Sequence, residues 1–437
     1  MKKIPPAWNI LTKPQYTGRD NAELEPVITF RVIDKDADLI NQVKQIELDL
    51  LKKLQDVCQA NNIKVFAMYG TLLGAVRHGG VIPGDDDIDV ALLRPDYDKL
   101  MSLQSEFSGK YFLQTPETDN YFCSGYAKLR NIESTAISPT NWFIDCCEGI
   151  CIDIFPIDNC SKSKRKERWR QRIICFCQRM LYAYTYGHFK NFMDMKMLKW
   201  KSYKYLGKLI SRHFILKKFN EALKSGDNDS GEYCCYTHYS SRRIKKGISK
   251  KLFESFESVP FENQEILIPK GFDEILESRY GKYLDYSVYP VLRKNRHAFY
   301  VPSVPYTFYK TRFRYCCRPI PAGKKLVLVG DNVMLSEFFG KFGTKYSPCY
   351  FVEIERIEWN LPEMIKSIPV ISIDEFAALE KTDYYIVICS IHFRETEKIL
   401  RAIGCTDYYF FVWKTEWLLL SDPDVIIYEE RLKNENQ

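Results

Sequence analysis

The stretch from Met68 to Val90, MYGTLLGAVRHGGVIPGDDDIDV, constrains this chain more than any other. The apolar run Val65-Phe66-Ala67-Met68 leads into the small-residue turn Gly70-Thr71, which predicts that a strand stops there and a short helix, Leu72 to His78, begins. A helix start leaves N–H groups where a phosphate can sit, so Gly70 and Thr71 are candidate phosphate-binding residues. Gly79-Gly80 then ends the helix as a left-handed cap. Ile82-Pro83-Gly84 turns the chain into four acids, Asp85, Asp86, Asp87 and Asp89. Ile88, Val90, Ala91 and Leu92 predict a following strand.

On a strand, residues two apart share a face, which sets Asp87 and Asp89 together at about 7 Å between Cα atoms. Carboxylates this dense repel unless a hard divalent cation sits among them, and Mg²⁺ keeps open positions for substrate phosphates. A solvated acidic turn is the plainer alternative. The Gly-rich helix start before the acids and the apolar strand after them argue against it. A partner carboxylate is expected on a neighbouring strand, and Gly149 to Asp158, GICIDIFPID, offers Asp153. It interrupts a buried-looking run, where an unpaired carboxylate is costly unless it meets a metal or a donor. A structural salt bridge is its bland alternative. Asp158, past Pro156, reads as structural. The candidate metal set is Asp87 and Asp89 with Asp85 or Asp153, around Mg²⁺ or Mn²⁺; Asp87, Asp89 and Asp153 are the candidate catalytic residues.

A chain of 437 residues suggests two or three domains and is ample for a large core. No run of about 18 apolar residues occurs, and Met1-Lys2-Lys3-Ile4-Pro5-Pro6 leads into no apolar signal core. The expected location is the cytoplasm. The 15 cysteines read as reduced, buried, small apolar residues, and the doublets Cys146-Cys147, Cys234-Cys235 and Cys316-Cys317 show no CxxC pairing that would indicate zinc.

Residues 1–34 read as an irregular arm broken by Pro5, Pro6, Pro14 and Pro26. Asp36 to Asn61 is predicted helical, because Leu39, Val43, Ile46, Leu50, Leu51, Leu54 and Val57 fall on one face. After Asp89 a helix from Pro95 to Phe107 is expected, then strands at Tyr111 to Gln114 and Gly125 to Leu129. Lys128 and Arg130 lie two apart and point to one face if that strand continues, so either cation is a candidate for a phosphate, with a solvated strand end the plainer alternative. Arg77, on the last turn of the motif helix, is a candidate for binding a phosphate-bearing substrate or only for the helix dipole.

From Ser161 to Phe219 the composition changes. Seventeen Lys or Arg face two acids, Glu167 and Asp194, a local charge of +15 that leaves −8 for the remainder of a chain of net charge +7. Aromatic residues alternate with the cations through a stretch that reads as helices. Such helices suit an anionic membrane surface, with nucleic acid the disfavoured partner and a solvated basic face over an aromatic core the bland one. Next come a loop at Ser225 to Gly231 and a helix from Phe272 to Tyr280. His297 follows basic residues and reads as a surface or phosphate-contacting group. Pro319 to Gly323 reads as a linker. Residues 324–437 then alternate strand and helix: strand Lys325 to Gly330, helix Val333 to Phe342, strands Cys349 to Glu353 and Tyr384 to Cys389, helix Arg394 to Ile403, strand Tyr408 to Val412. This implies a small parallel Rossmann-like α/β accessory domain, without the GxGxxG of close pyrophosphate approach.

The run Tyr69 to Gly80, then Ile82-Pro83 and Asp85-Asp86-Asp87-Ile88-Asp89, closely resembles the LicD family, which includes bacterial phosphocholine transferases and is related to the fukutin proteins. Lys128-Leu129-Arg130, Ile152 to Pro156, Ile268 to Phe272 and Tyr280-Gly281 continue the resemblance in order, over roughly Leu39 to His297. Gly84 departs from it, standing where the family usually has Trp. The resemblance implies an α+β, nucleotidyltransferase-like fold of polymerase-β type over residues 35–318, with the basic helical region inside it. It also implies transfer of a phosphoalcohol, foremost phosphocholine, from CDP-choline or a related CDP-alcohol to a glycan hydroxyl in lipopolysaccharide, teichoic acid or another cell-surface polysaccharide, with release of CMP. The acceptor could be lipid-linked, with the protein peripheral on the inner membrane face. Nucleotidyl transfer at an α-phosphorus, and a non-catalytic glycan- or membrane-binding relative, are the alternatives.

Overall fold

The structure is a computed structural model. It describes residues 27–32, 37–82, 85–138, 141, 144–187, 206–207, 209–234, 247–284, 298–313, 320–330, 334–335, 338–339, 346–354, 364–365, 368–390, 393–411 and 425–430. The chain is a mixed α/β protein of two compact units: Asp38–Ile137 with Ile144–Tyr306, and Met1–Ala37 with Ser138–Phe143 and Thr307–Gln437.

The first unit opens with α1 (Ala37–Ala60), whose three- and four-residue apolar spacing lays Leu50, Leu51 and Leu54 fully buried on the sheet. Each such leucine contributes about 2 kcal/mol of burial free energy. Strand β1 (Phe66–Ala67) leads into α2 (Tyr69–His78), which Gly79 closes at φ +63, the left-handed cap expected there. Then come β2 (Asp89–Leu93), α3 (Arg94–Met101), β3 (Tyr111–Gln114), β4 (Ala127–Asn131), β5 (Thr135–Ile137) and the long β6 (Ile150–Asn159). Helix α3 stops six residues short of the expected Phe107. Its last turn closes when Ser102 Oγ donates to the Lys99 carbonyl, and a 3₁₀ turn, Gln104–Glu106, follows. Strand β4 begins two residues later than expected and runs through Arg130.

The sheet order is β1-β2-β6-β4-β3. Strands β2 and β6 are parallel and the other pairs antiparallel. The parallel pair at the centre carries the site. The basic stretch forms α4 (Lys164–Gly187) and α5 (Arg212–Lys224), which pack Ile174, Met180 and Leu181 against Ile215, Leu216 and Phe219. Residues 188–205, in the middle of that stretch, lie outside the described residues. Strands β7 (Glu232–Cys234) and β8 (Ile248–Ser249) extend from the far end of β6. A hairpin of β9 (Phe256–Phe261) and β10 (Gln264–Pro269) reaches back to α2, where the Glu262 N–H donates to the Gly79 carbonyl at 2.7 Å. Helix α6 (Phe272–Tyr280) spans the residues expected, and β11 (Phe299–Val301) pairs with β5.

In the second unit, helix α7 (Tyr306–Phe313) precedes a six-stranded sheet of β12 (Lys325–Gly330), β13 (Tyr350–Glu353), β14 (Met364–Ile365), β15 (Ile368–Ser372), β16 (Tyr384–Cys389) and β17 (Tyr408–Phe410), ordered β14-β15-β13-β12-β16-β17. All its pairs are parallel except β14–β15. Helices α8 (Ile373–Ala377) and α9 (Phe393–Ala402) belong to it. The short β14, β15 and α8 were not legible as elements; Pro369 interrupts the strand pattern there. Most of the expected helix Val333 to Phe342 lies outside the described residues. Within the supposed irregular arm, Val27–Val32 is a strand paired antiparallel with Val425–Glu430. No helix among the described residues is long and apolar enough to cross a membrane. No disulfide joins the described cysteines, and most of them are buried.

Candidate functional site

Three neighbouring strands set three charged residues in a row. Asp89 opens β2, its register partner on β6 is Asp153, and the partner of Asp153 on β4 is Lys128. Partners in register project to the same face of a sheet. Lys128 Nζ lies 2.5 Å from Asp153 Oδ1 and 5.5 Å from the centre of the Tyr126 ring. Burial works against the Lys128 ammonium, but Asp153 and then Cys151 hold it protonated well beyond the ordinary lysine range. Burial, then the charges of Asp87 and Asp153, push the Asp89 carboxyl well above the usual carboxylate range, with Lys128 pulling the other way.

The backbone here is pinned from two sides. The Asp89 N–H donates to Thr71 Oγ1 at 2.7 Å, and the Asp89 carbonyl accepts from Met68 N–H at 3.1 Å. Asp153 N–H donates to the Ile88 carbonyl at 2.9 Å. Asp85, Asp86 and Asp87 precede the strand rather than forming it, so alternation does not separate them. One carboxylate oxygen from each lies within 4.8 Å of the others. The strand placement expected for Asp87 is thereby corrected, although Asp87 is still the carboxylate acting most strongly on Asp89. Asp86, which period-two reasoning left out, is buried and accepts from Tyr300 Oη at 2.9 Å.

Glu47 was missed as well. It lies on the buried stripe of α1 at 2% exposure, where burial and then Asp87 and Asp86 push its carboxyl well up. The signal was a lone acid among Val43, Leu50 and Leu51. These groups offer only oxygen ligands, the chemistry a hard divalent cation takes, so the residues present fit Mg²⁺ or Mn²⁺.

The phosphate seat expected at Gly70 and Thr71 is rearranged. A Cβ at Gly70 would sit 3.1 Å from Asp85 Oδ2, so that carboxylate takes the place beside the helix start, where its charge meets the positive end of the dipole. The buried Thr71 hydroxyl serves Asp89. Tyr69, the first residue of α2, has φ +53, a conformation that costs a non-glycine residue about 1–3 kcal/mol and collects at functional sites. Arg77, seven residues on, lies about 10 Å along the helix axis from Gly70 at 1.5 Å per residue, on the last turn. Arg130 shares a strand face with Lys128 but is buried; its Nε donates to Gln114 Oε1 at 2.5 Å and its Nη1 to the Gly149 carbonyl at 2.6 Å. Those bonds turn it from the expected phosphate role to an internal tie. Asp158 is structural, as read, accepting from Arg94 Nε at 2.6 Å. Pro83, Gly84 and His297 lie outside the described residues.

The site is thus a carboxylate-rich one on a mixed sheet, with a lysine held beside it. Residues 62–195 match the family model described as LicD/FKTN/FKRP, nucleotidyltransferase domain, so the family resemblance is shown over that range. Similar proteins include two uncharacterized ones, from Rickettsia prowazekii (34% identical over 106 residues, 24% of this chain and 31% of that one) and Rickettsia typhi (45% over 58 residues, 13% and 19%). A third is the lipopolysaccharide cholinephosphotransferase LicD of Haemophilus influenzae (37% over 71 residues, 16% and 27%). Each match spans less than a third of the relative's own length. Glu47 and Tyr300 lie outside the range that the family model covers.

Proposed function

We propose that the chain transfers a phosphoalcohol, foremost phosphocholine, from a CDP-activated donor to a glycan hydroxyl. On this reading the first unit has a nucleotidyltransferase-like fold and the second is a Rossmann-like accessory domain. The observation that carries the proposal is the row Asp89-Asp153-Lys128 beside the cluster Asp85-Asp86-Asp87. Asp85, Asp86, Asp87 and Asp89 would hold Mg²⁺ or Mn²⁺, which when bound neutralises the donor diphosphate and the charge of the departing CMP. Asp153 is partly exposed at 16% and is oriented by Lys128, so it takes the proton of the attacking hydroxyl. The hydroxyl oxygen bonds to the phosphorus bearing the alcohol, the bond from that phosphorus to CMP breaks, and CMP leaves. Attack at the α-phosphorus of a nucleoside triphosphate would release diphosphate instead.

The acceptor is proposed to be presented at an anionic membrane face. Trp169, Phe176 and Phe214 are exposed on α4 and α5 among Arg165, Arg168, Arg172, Lys217 and Lys218. Aromatic rings between cations suit the headgroup level of a bilayer. The experiment for the chemistry is incubation of the pure protein with Mg²⁺ and a panel of CDP-alcohols while CMP is measured. CMP released from one of them supports the reading, and diphosphate released from CTP in its place would replace it with nucleotidyl transfer.

A further inference from the structure

A row of aromatic rings runs beside the carboxylates. Tyr69 meets Phe155 edge-on at 5.2 Å, and Phe155 meets Tyr126 at 4.7 Å. Phe155 lies two residues after Asp153 on β6, so the row shares the strand face of the site. Each end carries a cation: Lys128 over Tyr126, and Arg279 of α6, whose Cζ lies 4.2 Å from the centre of the Tyr69 ring. Lys128 is committed to Asp153. Arg279 is exposed, its Nε donates to Tyr280 Oη at 3.2 Å, and it forms no ion pair with a carboxylate among the described residues. The charge of Asp89 reaches it nonetheless.

We infer that Arg279 is a second cation of the donor site, a guanidinium that receives the diphosphate of the nucleotide-activated donor. The inference rests on the transferase reading above. A guanidinium stacked on an aromatic face keeps a fixed plane and offers its outer N–H groups as a fork, the geometry that matches two phosphate oxygens. Its platform is tied to the carboxylates. Tyr69 begins α2 in its left-handed conformation, and two residues later Thr71 holds the Asp89 backbone. Arg279 therefore stands over a ring two residues before the one that holds the Asp89 backbone, with no carboxylate partner among the described residues, at the opposite end of the ring row from Lys128. It lies outside the range matched by the family model, so that match says nothing of it.

The test is calorimetric titration of the Mg²⁺-saturated full chain with inorganic diphosphate and then with CDP, in wild type, Arg279→Gln and Arg279→Lys. Arg279→Gln should weaken diphosphate and CDP binding roughly tenfold to a hundredfold, the range for losing a charge-assisted pair of hydrogen bonds, and Arg279→Lys should weaken them less. The melting temperature should stay at the wild-type value because the side chain is exposed. Diphosphate bound equally by wild type and Arg279→Gln, or by neither, overturns the inference. If Arg279→Gln melts early, the two variants decide: equal weakening with the charge retained or removed also overturns it. Diphosphate binding that depends on Arg279, in a wild type that releases no CMP from any CDP-alcohol, would sink the transferase reading while leaving the cation's role standing.

Discussion

Lys128 and Asp153 are register partners on β4 and β6, with Nζ and Oδ1 2.5 Å apart and both side chains less than a fifth exposed. The pair balances one carboxylate next to Asp89 and, on the function proposed above, leaves the others for a cation. Lys128→Met removes the charge at similar length and leaves Asp153 uncompensated. With both groups partly solvated, the expected loss is about 1–3 kcal/mol, below the cost of breaking a fully buried pair. Melting in chelator should drop, and added Mg²⁺ should raise the melting temperature of Lys128→Met more than that of wild type. An equal Mg²⁺ response in both would contradict this role.

The raised carboxyls of Asp89 and Glu47 make a statement about pH. Both owe the shift first to burial and then to neighbouring carboxylates, so the metal-free folded chain holds these protons more tightly than the unfolded chain does. Between the ordinary values of 3.8 and 4.5 and the raised folded values, the folded state binds more protons, and stability falls as pH rises. Glu47→Gln removes one contribution. In chelator its melting temperature should decline less from pH 5 to pH 8 than that of wild type; a steeper decline would contradict the assignment.

Thr71→Val keeps volume and shape but removes the acceptor of the Asp89 N–H. Leaving that donor unsatisfied should cost about 1–3 kcal/mol and loosen the first residue of β2. The variant should melt earlier and require more Mg²⁺ for half-maximal CMP release. A wild-type Mg²⁺ requirement would show that Thr71 matters to the fold alone.

The parts legible in the sequence were those that a local period encodes. The spacing of Leu50, Leu51 and Leu54 predicted α1, the glycine pair predicted the cap at Gly79, and the apolar run around Asp153 marked it as the partner strand that faces Asp89. What was hidden depends on chain returning from far away or on loop geometry. Tyr300 reaches Asp86 across 214 residues because β11 pairs with β5. Asp86 converges with its neighbours because the chain before β2 is not a strand. Arg279 finds Tyr69 only once α6 has packed beside α2. Arg130 was over-read, since strand alternation gives a face but not whether Gln114 and the Gly149 carbonyl already occupy it.

The basic helices lead to a test on vesicles. Several cations at about 1 kcal/mol each near an anionic surface, with Trp169 63% exposed and Phe214 49% exposed beside them, should hold the chain reversibly. Co-sedimentation should rise with anionic lipid content and fall as salt shortens the Debye length. Equal recovery on neutral and anionic vesicles would return α4 and α5 to a solvated basic face.

The central claim is that the aspartates at the start of β2 organise a cation for transfer. It is tested most directly by CMP release from the CDP-alcohol that wild type uses, measured in Asp87→Asn and Asp89→Asn at saturating Mg²⁺ with circular dichroism alongside. Each substitution removes charge at nearly constant volume. The account predicts that release is abolished in both variants with the fold retained, that chelation of wild type reproduces the loss, and that Mg²⁺ or Mn²⁺ reverses the chelation. Wild-type turnover in either variant would contradict it.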